Sequence, residues 1–131
     1  MDVKLAVLAD YSNVSREGKL NILGIFGAIH CRVFPATHPQ MQLVMSLEAM
    51  PVEAGQPKKI EVKLVDSDGK QLFGISGQLE LKAAKAGEPI RNNHILQLNN
   101  IIFEKPGDYA FHILVGDDLK ETVPLKVIQI T

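Results

Sequence analysis

The segment from Leu96 to Val127, LQLNNIIFEKPGDYAFHILVGDDLKETVPLKV, constrains the fold more than any other part of this chain. Leu96 and Leu98 alternate as one face of a strand, and Ile101 follows after two asparagines. Pro106-Gly107-Asp108 then turns the chain into Tyr109. Beyond the turn, Tyr109, Phe111, Ile113 and Val115 share one face of a strand, as Val123, Leu125 and Val127 do of the next. Pairing Phe111 with Val123 also pairs Tyr109 with Leu125 and leaves Gly116-Asp117-Asp118 as a three-residue turn. Pro124 faces outward in this register and has no N–H for a ladder, so its strand is expected to be an edge or to carry a bulge.

The spacing of Leu96, Leu98, Ile101, Gly107 and Tyr109 resembles the E strand and E–F corner of immunoglobulin-like domains. There a tyrosine hydroxyl bonds back to upstream backbone. The chain departs from antibody domains at Lys105, where an acidic residue is common, and at Phe111, where the strand-F cysteine would stand, and it has no tryptophan. The expected fold is all-β: an antiparallel immunoglobulin-like β-sandwich of about seven to nine strands. At 131 residues it is expected to be a single domain over 1–131.

The remaining segments read as strands and turns. Val3 to Ala9 is a strand with two largely apolar faces, and Asp10 to Gly18 a polar loop. Leu20 to Phe34 is a long apolar strand bent at Gly24 or Gly27, with Leu20, Ile22 and Phe26 on one face and Leu23, Ile25, Ile29 and Val33 on the other. Only one of these faces can meet the core, so a loop, a small helix or a second copy must cover the other. Pro35 to Gln40 is a loop before the alternating strand Met41–Ala49, and Pro51–Pro57 is a turn region. Asp68-Gly69 is read as a type I′ hairpin turn pairing Leu64 with Phe73, Val62 with Ile75 and Ile60 with Gly77. Ala83–Pro89 connects to the strand before the corner.

Composition narrows the function classes. A net charge of −1, with no lysine or arginine cluster, gives no field for nucleic acid or anionic lipid. The single cysteine, Cys31, excludes an intrachain disulfide. Leu5–Ala9 is too short for a signal peptide and no apolar run reaches transmembrane length, so the expected location is cytoplasmic.

No residue pattern points to catalysis or a cofactor. Asp66-x-Asp68-Gly69 begins like a calcium loop but lacks the distal ligands, and is explained as a turn. His30, His38, His94 and His112 show no metal-ligand spacing, and the neighbours His30 and Cys31 point to opposite faces of a strand. The polar cluster to watch is Asp10, Tyr11, Asn13, Ser15, Glu17, Lys19 and Asn21, a candidate recognition loop.

The blocks VKLAVLAD, NVSREGKLNILGIF, FPATHPQ and PGDYAF, with the ending LKV, together resemble a family of small single-domain bacterial proteins of unknown function. The resemblance covers nearly the whole chain and implies a bacterial source and a free-standing domain, with no catalytic residues to carry over. The expected function is therefore a non-catalytic protein-interaction or accessory domain, self-associating by covering the spare apolar face of Leu20–Phe34 or by pairing an edge strand. The alternative is a small-ligand or carbohydrate-binding sandwich, with Tyr11 and Phe34 as the aromatics left for contact.

Overall fold

The computed structural model describes residues 1–131 as nine strands: β1 (Asp2–Val14), β2 (Leu20–Phe26), β3 (Ala28–Cys31), β4 (Ala36–Ala49), β5 (Pro57–Val65), β6 (Gln71–Glu80), β7 (Ile90–Phe103), β8 (Gly107–Val115) and β9 (Asp118–Gln129). One short 3₁₀ turn, Pro51–Glu53, follows β4. The strands form two sheets, β2-β1-β4-β7 and β3-β9-β8-β5-β6. Inward residues of both sheets meet in one core, Leu8, Met41, Leu43, Met45 and Phe103 from the first and Val62, Leu64, Phe111, Ile113 and Leu125 from the second. The protein is all-β and two-layered.

The expected pairings hold. Phe111 lies opposite Val123 and Tyr109 opposite Leu125, while Leu64, Val62 and Ile60 lie opposite Phe73, Ile75 and Gly77. The turns differ from the reading. Val115 pairs with Asp118, so the β8–β9 turn has two residues, Gly116 and Asp117, both left-handed at φ +57° and +72°. The register then shifts at Lys120, an extra residue in β9. In the β5–β6 hairpin the turn spans Asp66 to Gly69, with Gly69 at φ +82°. Asp66 Oδ1 accepts from the Asp68 and Lys70 amides, both at 2.9 Å. Leu72 is the extra residue that restores the core register.

Three further readings are corrected. The segment Asp10–Gly18 is not a loop, because β1 continues to Val14 and pairs with β2, leaving a tight turn at Ser15–Lys19. Ala36–Gln40 is strand rather than loop, held by pairing with β7. Leu20–Phe34 is not one bent strand: at Gly27 the chain leaves the first sheet, and β3 joins the second beside β9, in parallel. The second sheet is thus mixed, while the first is wholly antiparallel. β9 has an open side until this parallel pairing starts at Lys126, and exposed Pro124 sits just before that point.

The corner forms as expected. Tyr109 is 5% exposed and its hydroxyl donates to the Lys105 carbonyl at 2.6 Å. Burial raises its pKa above the ordinary phenol value of 10.0. Its ring meets Phe103 edge-on at 4.9 Å.

Candidate functional site

The polar cluster Asp10–Asn21 is distributed along β1, the turn after it and β2. Asn13 and Asn21 face each other across β1 and β2, the Asn21 amide donating to Asn13 Oδ1 at 2.9 Å. Ser15 Oγ accepts from the Lys19 amide at 3.0 Å, closing the turn that carries Glu17. The Gly18 carbonyl accepts from Asn93 of β7 at 3.3 Å. These residues build a hairpin, with Glu17 and Lys19 exposed at its tip.

Asp10 and Tyr11 separate from that group. Gly24, at φ +71°, lets the Asp10 carboxylate lie where a Cβ would otherwise stand, so a side chain there would be both strained and displaced. Asp10 opens with His30 and His38 onto a cavity of about 330 Å³ beside the β2–β3 crossover. His38 Nε2 is buried without a hydrogen-bond partner, and its ring lies 6.1 Å from that of Phe26. Long-range pairing makes this grouping, and nothing in the local spacing announces it. No three His, Cys, Asp or Glu side chains stand close enough together to hold a metal ion.

Tyr11 faces outward at 48% exposure, opposite Leu23. Leu23 and Ile25 are 65% and 62% exposed, and Leu5 on β1 is exposed as well. β2 is an edge of its sheet and carries no charged residue over Leu20–Phe26. Edge strands usually carry a lysine, a proline or a bulge that discourages further pairing. Here the positive φ of Gly24 is the one irregularity. Behind this edge, an amide relay crosses β1, β4 and β7. Ser12 Oγ donates to Gln42 Oε1 at 2.6 Å, Gln42 Nε2 to Gln97 Oε1 at 2.8 Å, and Gln97 Nε2 to Asn99 Oδ1 at 2.9 Å. Ser12 and Gln42 are the buried members of this relay, and a buried amide satisfied in this way fixes strand positions relative to one another.

Sequence reasoning found the apolar face of β2 through the alternation of Leu23 and Ile25. It missed that Asp10 and Tyr11 lie in a strand, because polar side chains hid a paired segment. Phe34, expected as an exposed contact, is partly buried against the core.

Residues 4–128 match the model of a family described as a family of unknown function, DUF6941. The chain belongs to that family. No curated protein matches it. Among solved structures, the chain is similar to part of the Pseudomonas fluorescens alkylpurine DNA glycosylase AlkC bound to DNA containing an abasic site analog, at 17% identity and a TM-score of 0.43. The similarity covers 77% of this chain and 27% of the glycosylase's. At that level it carries no argument about function. No helix is long and apolar enough to cross a membrane.

Proposed function

We propose that the protein is a non-catalytic accessory module that self-associates through β2. The observation that carries this reading is the exposure of Leu23 (65%) and Ile25 (62%), side by side on an uncharged edge strand. Neither a loop nor a helix of the chain covers them, so of the covers the sequence admits, a second copy remains. Two β2 strands related by a twofold axis meet antiparallel, and the same apolar residues then face one another without charge repulsion. The remaining properties of this reading are an immunoglobulin-like arrangement of the two sheets, supported by the tyrosine corner, and a bacterial, cytoplasmic setting, with neither nucleic acid nor membrane as partner. A carbohydrate platform has less support, since Tyr11 is the only aromatic exposed enough to stack on a sugar.

Sedimentation across a concentration series tests the reading. The native chain is expected to dimerise, and the double variant Leu23→Lys, Ile25→Lys to stay monomeric with an unchanged β-sheet circular dichroism spectrum. A native chain that remains monomeric at the highest concentration overturns it.

A further inference from the structure

The opposite side of the molecule carries a separate feature. β6 and β7 are the outer edges of their respective sheets, and between them lies a slot of about 160 Å³. Its walls reach the core residues Met45, Ile60 and Val62. Ile75 shares the inward face of β6 with Phe73, yet is 40% exposed because nothing lies over it. Gly77, opposite Ile60, leaves the place of a side chain empty: a Cβ built there meets nothing within 4 Å. His94, paired with Met45 on β7, is the one ionisable side chain in the lining.

From this geometry we infer that the slot binds a small, uncharged ring compound carrying a single hydroxyl, such as a phenol, with its ring against Met45, Val62 and Ile75 and its hydroxyl toward His94. Size and chemistry both select this class. An apolar cavity of about 150 Å³ accepts a benzene ring, and the slot is close to that volume. Ligand sites are mostly apolar with a few polar groups that set orientation, and six of the ten lining residues are hydrophobic. A sugar would leave most of its hydroxyls without partners here, an ammonium ion would find no carboxylate in the lining, and a carboxylate would find no lysine or arginine. The site is independent of β2 and does not rest on self-association.

The test is a titration with phenol, followed by amide and imidazole NMR shifts, on the native chain and on the Leu23→Lys, Ile25→Lys variant. Saturable shifts centred on Ile75, Gly77 and His94 are expected in both proteins, with none from glucose and binding of benzoate at least about tenfold weaker. Gly77→Leu, whose side chain fills the slot, is expected to raise the melting temperature and to weaken phenol binding at least about tenfold. Gly77→Val provides a milder filling, expected to act in the same direction. Absence of saturable shifts, or an affinity unchanged from the native chain in both filled variants, overturns the inference. Binding confined to the double variant also overturns it, because a second copy would then occupy the slot.

Discussion

Tyr109 is the residue whose role is most legible in the sequence. A tyrosine two residues after the glycine of a Pro-Gly-Asp turn implies a phenol reaching back to the main chain, and the bond to Lys105 at 2.6 Å is that contact. Tyr109→Phe keeps the ring packing on Phe103 but strands the Lys105 carbonyl, and is expected to cost roughly 1–2 kcal/mol in urea unfolding. The raised pKa adds a pH signature. A group protonated more firmly in the folded state stabilises the fold below its unfolded value, and that stability is lost as pH rises through the folded value. The native protein is therefore expected to lose stability above pH 10.0. The phenylalanine variant should show less of that loss, and an identical alkaline profile would contradict the assignment. His38 illustrates the opposite limit. Its buried, unpartnered nitrogen depends on Phe26 and on a crossover that no local pattern encodes.

At the scale of elements, the hydrophobic alternation proved a better guide than turn chemistry. Both hairpin registers follow from the apolar faces, and both turns were misjudged by a residue. The structure reconciles the two with single extra residues, Leu72 in β6 and Lys120 in β9. Lys4 does the same in β1, where Val3 and Leu5 are out of step against β4. Slipping a strand by one residue would turn its whole core face to solvent, which costs far more than a bulge. Deleting Lys120 is accordingly expected to change stability by less than about 1 kcal/mol, because Phe111 stays opposite Val123. Deleting Lys126, beyond the bulge, displaces buried Val127 and is expected to cost roughly 2 kcal/mol or more. Chemical denaturation of the two deletions side by side checks this, and equal losses would contradict it. The two asparagines before Ile101 have a similar origin. Asn100 adopts φ +54°, so the strand changes its inward set from Leu96 and Leu98 to Ile101 and Phe103.

For the molecule as a whole, hydrophobic alternation and turn residues were enough for an all-β fold, but not for which strands share a sheet. The division of Leu20–Phe34 between two sheets at Gly27 is a long-range outcome, decided by where β9 lies. A second long-range tie fixes the start of β1. The Met1 ammonium donates to Glu53 Oε1 at 3.0 Å, and the Met50 amide to Glu53 Oε2 at 2.7 Å. These contacts, the ammonium first, lower the Glu53 pKa from 4.5 to about 2. A depressed carboxylate stabilises the fold above its unfolded value, and the contribution disappears as pH falls from 4.5 toward 2. Glu53→Gln, or blocking the amino group, is expected to flatten the stability profile in that window. Urea unfolding at stepped pH measures it, and an unchanged slope in both cases would contradict the pairing.

The parallel pairing of β3 with β9 also bears on the order in which the protein can be completed on the ribosome. Translation delivers β3 well before β9, the strand it hydrogen-bonds to, so this part of the second sheet stays unfinished until β9 has emerged. Ile29, buried in the mature protein, has no permanent shelter during that interval. Nascent chains stalled before β9 should therefore be the species that holding chaperones retain longest.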